Sequence, residues 1–109
     1  MDIELLSGDE LKKLMRKRRV YLVDVRTLEE YKSGHICGAV NIPSEEIEEM
    51  ECDGVYLIKK FADMKKCGFK IVFCCKSGNR SMLCARILKE HGIECSSLFG
   101  GIEEFRIDE

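Results

Sequence analysis

Hydrophobic positions fall along this chain in short blocks, and the period inside the blocks keeps changing. Ile3 to Leu6 reads as a short strand. Ser7 and Glu10 then have the spacing of a capping box, in which each residue satisfies the other's free backbone N–H. A helix is predicted from about Gly8 to Arg16. Val20 to Val25 is nearly continuous apolar sequence, as a strand covered on both faces requires. Thr27 and Glu30 form a second capping box, opening a short helix that Gly34 ends. Ala39 to Ile42 predicts a brief strand stopped by Pro43. Ser44 is placed to cap a further helix, with Ile47 where a full box would have Glu or Gln.

The second half repeats the alternation. A helix is predicted from about Val55 to Met64, and a buried strand over Lys70–Cys74. Ser81 to His91 is helical by the spacing of Leu83, Cys84, Ile87 and Leu88, and Gly92 closes it. Ser96 to Phe99 reads as a last strand. Gly100-Gly101 turns the chain into a terminal helix from Ile102 to Phe105. Strands alternating with helices predict an α/β domain with a mostly parallel sheet and helices on both faces. The chain has 109 residues, so residues 1–109 make one domain with a single core.

Composition narrows the picture. Apolar residues at 45% and charged residues at 35% describe a folded chain, with no apolar run long enough to span a bilayer. A net charge of −2 gives no sign of a nucleic-acid partner. The basic cluster Lys12, Lys13, Arg16, Lys17, Arg18 and Arg19 reads as a solvated helix end, its cations complementing the helix dipole, with a surface for an acidic partner as the other reading. Seven cysteines is an odd count, which excludes a complete set of internal disulfides. The acidic start shows no secretory pattern. Free thiols in a reducing cytoplasm are therefore expected. No C-x-x-C pair occurs, which counts against both a zinc site and a thioredoxin-like motif; no metal and no cofactor are expected.

Chemistry concentrates where the apolar run Ile71–Cys74 meets Cys75-Lys76-Ser77-Gly78-Asn79-Arg80. In open α/β sheets, ligands bind beyond the carboxyl ends of the strands, where Cys75 falls. Gly78 and Asn79 tolerate positive φ, so the backbone can curl and aim several N–H groups inward. Such a nest at a helix N-terminus stabilises an anion, and a sulfur inside it is favoured as the thiolate. Lys76 and Arg80 add positive charge for an anionic substrate. The residues alone leave two other readings open. Lys76-Ser77 matches the end of a phosphate-binding loop, though its leading glycines are absent. Cys75 can also be a strand-end residue without chemistry.

The stretch from Cys75 to Ser81 resembles the active loop of single-domain rhodaneses, the thiosulfate sulfurtransferases. Leu22-Val23-Asp24-Val25-Arg26 resembles the family's first signature strand. Glu30-Tyr31, Gly34-His35-Ile36 and Gly38-Ala39-Val40-Asn41-Ile42-Pro43 resemble the segment after it. Leu88 to Gly92 and Leu98 to Ile102 resemble its later helix and closing turn. The resemblance implies a rhodanese-like three-layer fold and a persulfide mechanism. Cys75 would take a sulfane sulfur from an anionic donor such as thiosulfate and pass it to cyanide or a protein thiol. Amides from Lys76 to Arg80 would stabilise the sulfur, and Lys76 and Arg80 would dock the donor. Related phosphatases use a loop one residue longer, so the length from Cys75 to Arg80 favours sulfur over phosphate or arsenate chemistry. A non-catalytic interaction or sulfur-relay module is the alternative.

Other residues are expected to be structural. Arg26 is expected to pair with Asp24 or Glu30, because an unpaired charge at the end of a buried strand is costly. Asp24 shares the sheet edge with the loop and is a candidate to support it. His35 is expected to hydrogen-bond near an apolar turn. Phe105 stands where the family commonly has tryptophan. Strand alternation separates Cys74 from Cys75 onto opposite faces. Cys84 sits among apolar neighbours and reads as core; a resolving-thiol role is the other reading for it or Cys37.

Overall fold

A computed structural model describes residues 3–49 and 55–107. The elements run β1 (Glu4–Leu6), α1 (Gly8–Lys17), β2 (Val20–Asp24), α2 (Leu28–Lys32), β3 (Val40–Asn41) and α3 (Ser44–Glu48). They continue with α4 (Val55–Lys66), β4 (Lys70–Cys74), α5 (Asn79–Glu90), β5 (Ser96–Leu98) and α6 (Gly101–Ile107). The five strands form one sheet in the order β1-β5-β4-β2-β3, and every pairing is parallel. Strand β4 lies at the centre, with Asp24 of β2 opposite Cys74. The expected α/β architecture is the observed one.

Two apolar layers cover the sheet. One gathers Val23, Ile71, Phe73 and Cys75 with Ile47 of α3, Phe61 of α4, and Cys84, Ala85 and Leu88 of α5. Phe61 and Phe73 are fully buried and meet edge to face at 5.7 Å. The other layer gathers Leu22, Val72, Cys74 and Leu98 with Leu11 of α1 and Ile102 and Phe105 of α6. Alternation along β4 therefore sends Cys74 and Cys75 to opposite layers. Phe105 packs in the position expected of a large aromatic, with the Lys12 ammonium 4.9 Å from its ring centre.

Both predicted capping boxes form. The Ser7 hydroxyl accepts from Glu10 N and the Thr27 hydroxyl from Glu30 N, with each glutamate returning to the cap. Ser44 departs from expectation. It is the first helical residue of α3, after Pro43, and its side chain makes no cap. Leu83 also departs, being 43% exposed. The buried residues of α5 are Ser81, Cys84, Ala85, Ile87 and Leu88, the face centred on the i, i+3, i+4, i+7 set from Ser81, and Leu83 is not among them. Met50, Glu51 and Cys52 lie outside the described residues. No helix among the described residues is long and apolar enough to cross a membrane.

Candidate active site

Strand β4 delivers Cys75 to the carboxyl end of the sheet, and α5 begins a few residues later. The turn between them is made possible by Gly78, which holds φ at 103° as the residue capping α5. Asn79 was the other candidate for positive φ. It instead takes up helical geometry, and no described non-glycine residue has positive φ. Starting α5 at Asn79 rather than at Ser81 brings a helix N-terminus directly onto the sulfur.

The Cys75 side chain is buried, 1% exposed. The Gly78 N–H donates to Sγ at 3.0 Å, and the Ser81 N–H donates at 3.4 Å. The Ser81 hydroxyl lies 3.5 Å from Sγ. This is a sulfur surrounded by donors at the positive end of a helix dipole, a setting that favours negative charge on it. Within the expected loop, Gly78 supplies the amide that reaches Sγ. Ser81, one residue beyond the loop, supplies a second amide and a hydroxyl. The sequence signal for Ser81 was its place as the last residue of the Cys75 to Ser81 stretch that carries the resemblance.

The remaining loop residues divide by environment. Lys76, Ser77 and Asn79 are exposed at the surface around the sulfur. Arg80 is half-buried, and its guanidinium is engaged. It grips Glu30 of α2 with two hydrogen bonds, at 2.9 and 3.1 Å. That bidentate hydrogen bond, with help from the Thr27 N–H, holds the Glu30 carboxyl down at about 2. The same contact raises Arg80 above its ordinary value. The second capping box therefore does more than start α2: it fixes the carboxylate that braces the thiol loop.

The base of the loop is closed from the other side by Gly100 and Gly101. Ile102 N–H donates to the Cys75 carbonyl at 2.8 Å, and Val25 N–H donates to the Cys74 carbonyl at 3.0 Å. A Cβ added at Gly101 would stand 2.2 Å from the Lys76 carbonyl oxygen. Only glycine fits there, with φ at 71°.

Of the two partners expected for Arg26, Asp24 is the one it takes. Its Nε and Nη2 clasp the buried carboxylate, with the shortest contact 2.7 Å, and Nη2 also donates to the Gly34 carbonyl. Asn41 Nδ2 donates to the Asp24 and Arg26 carbonyls. Asp24 thus organises the β2–α2 turn and lies beside Cys74 in register. Exposed His35 stacks on Tyr31 at 3.7 Å, with Nδ1 2.8 Å from the Tyr31 carbonyl oxygen. Burial raises the Cys74 thiol well above its usual range and pushes Cys84 up to about 12. The described cysteines are all free, with Cys37 and Cys67 exposed.

These features have counterparts in known proteins. The model of the Rhodanese-like domain family matches residues 7–108. The chain belongs to the rhodanese-like family. The human thiosulfate:glutathione sulfurtransferase is 30% identical over 99 residues, covering 88% of this chain and 86% of the human protein. An adenylyltransferase and sulfurtransferase, uba4 of Ogataea parapolymorpha, is 32% identical over 109 residues. That match covers 96% of this chain and 25% of the yeast protein, so the rhodanese-like chain corresponds to a quarter of its length. A crystal structure of a rhodanese-like domain protein from Staphylococcus aureus superposes with a TM-score of 0.74 at 27% identity. It covers 94% of this chain and 91% of that one. This is a rhodanese-like domain whose relatives include named sulfurtransferases.

Proposed function

We propose that the protein is a sulfurtransferase that carries a sulfane sulfur as a persulfide on Cys75. The observation that carries this reading is the donor set around Sγ: the Gly78 N–H at 3.0 Å and the Ser81 N–H at 3.4 Å, at the head of α5. In the first half-reaction the Cys75 thiolate attacks the outer sulfur of thiosulfate. A new S–S bond forms at Sγ, the S–S bond of the donor breaks, and sulfite leaves with its electron pair. In the second, an acceptor thiolate attacks the terminal sulfur and Cys75 departs as the thiolate. No general base is needed when the nucleophile is already ionised.

The name of the human relative supports thiosulfate as donor and a small thiol as acceptor. A protein thiol is the other acceptor the reading admits. Exposed Lys76 is the docking cation of the loop. Arg80, neutralised by Glu30, serves chiefly to hold the loop shape. The six-residue length from Cys75 to Arg80 is the one that the resemblance to rhodaneses associates with sulfur rather than phosphoryl chemistry.

Intact-mass measurement after incubation with thiosulfate tests the reading. One added sulfur is expected, lost in Cys75→Ser and retained in Cys74→Ser. An unchanged mass with thiosulfate and with other sulfane donors would overturn it. Thiosulfate loading without cyanide-dependent turnover would reassign the domain as a relay module.

A further inference from the structure

Strand β5 contains a residue that packing alone does not call for. Ser97 is fully buried in the sheet, paired in register with Phe73 and with Leu5. Serine is a poor strand former, and a buried hydroxyl costs free energy unless it is hydrogen-bonded. Among the described residues, the one side-chain partner of Ser97 is the Ser81 hydroxyl, 2.7 Å away.

Ser81 has a single hydroxyl hydrogen and several claimants for it. Its oxygen lies 3.1 Å from the Gly78 carbonyl, 2.7 Å from Ser97 Oγ and 3.5 Å from Cys75 Sγ. With Cys75 as the thiol, S–H donates to Ser81 and Ser81 donates to the Gly78 carbonyl. With Cys75 as the thiolate, that S–H is gone, and the Ser81 hydrogen must turn to the sulfur to avoid lone-pair repulsion. The Gly78 carbonyl is not orphaned by this rotation, because Met82 N–H already donates to it at 3.2 Å. If the Ser81 hydrogen pointed at Ser97 instead, the sulfur would lose it.

We propose that Ser97 is a positioning residue for the reactive sulfur: it donates its hydroxyl hydrogen to Ser81 Oγ and so reserves the Ser81 hydrogen for Cys75 when the sulfur is charged. Its donation also polarises Ser81 and strengthens the bond that Ser81 makes. The inference rests on Cys75 as the reactive sulfur, but it concerns the free thiolate and not its persulfide. The other groups near the sulfur are the exposed Lys76 of the loop, Arg80 of α5 with Glu30 of α2, Asp24 of β2, and the thiols of Cys74 and Cys84. None changes when Ser97 is replaced, so a shift on replacement reports the hydroxyl.

The test is the pH dependence of Cys75 alkylation by iodoacetamide in the full chain, without sulfur donor, read at Cys75 by peptide fragmentation. Ser81→Ala is expected to raise the midpoint by roughly one pH unit, about tenfold in thiolate fraction. Ser97→Ala is expected to raise it by about 0.3 unit, roughly twofold. The double variant should match Ser81→Ala alone, because Ser97 acts through Ser81. Ser97→Thr and Ser97→Val, equal in shape, repeat the comparison should Ser97→Ala fail to fold, and only Thr should keep the midpoint. A folded Ser97→Ala with the wild-type midpoint overturns the proposal, as do additive shifts in the double variant. Thiosulfate loading is measured separately, so loss of the persulfide reading and loss of this one give different results.

Discussion

Gly101→Ala is the most demanding test of how the thiol loop is held. The new methyl carbon would stand 2.2 Å from the Lys76 oxygen, 2.5 Å from the Lys76 carbonyl carbon and 2.6 Å from the Cys75 oxygen. All three are backbone atoms, so no side chain can swing aside. Real Cβ contacts do not fall under 3.0 Å, so the glycine turn and the loop must part by at least about 0.8 Å. The φ of 71° adds a left-handed penalty of roughly 1–2 kcal/mol for a residue with a Cβ. Forced separation of packed backbone adds a further 1–3 kcal/mol or so. A combined loss near 3 kcal/mol lowers Tm by about 12–24 °C in a domain of this size. Gly68→Ala is the control, since φ is 88° there and nothing lies within 4 Å. It should show the conformational penalty alone, roughly 1–2 kcal/mol. The assay is thermal unfolding of both variants, followed by thiosulfate loading of Cys75. If Gly101→Ala melts with Gly68→Ala and loads sulfur like the wild type, the contact does not shape the loop.

Two further predictions concern charge. Asp24→Ala strands the buried Arg26 guanidinium and should cost about 3–5 kcal/mol in denaturant unfolding; a loss under ~1 kcal/mol would mean that Arg26 finds another partner. Glu30 titrates at about 2 in the folded protein against an ordinary 4.5. Its folded value is depressed, so its stabilisation is complete above pH 4.5 and disappears as pH falls through 4.5 to about 2. Both partners are about a third exposed, so the contribution is under ~1 kcal/mol and should shrink further in high salt. Acid-unfolding curves of wild type and Glu30→Gln should therefore converge across that window, and parallel curves would refute the assignment.

How much of this was legible in the sequence depended on range. Capping boxes are local, and Ser7–Glu10 and Thr27–Glu30 formed as read. Strand alternation is local too, and it separated Cys74 from Cys75. The helix that follows the loop was misjudged by two residues, because Asn79 was assigned to the turn when Gly78 alone supplies the positive φ. Leu83 looked like core because its neighbours are apolar, but the buried stripe starts from Ser81, which composition does not reveal. The pairing of Arg80 with Glu30 joins residues distant in sequence, and only the parallel sheet brings them together. Arg80 was consequently expected to face the donor, whereas it spends its fork on the protein. Ser97 carried no signal beyond being one of two adjacent serines in a three-residue strand.

The order β1-β5-β4-β2-β3 has a consequence for how the molecule comes into being. The first strand finds its place only against the last, with Glu4 opposite Ser96 and Leu6 opposite Leu98. The Cys75 carbonyl likewise waits for Ile102. Such non-local parallel pairings pay their loop-closure entropy before any contact rewards it, and they fold slowly. During vectorial synthesis Cys75 therefore emerges before the segment that closes its loop. Through that interval Cys75 is an ordinary cysteine, without the Gly78 and Ser81 donors that surround its sulfur in the finished fold.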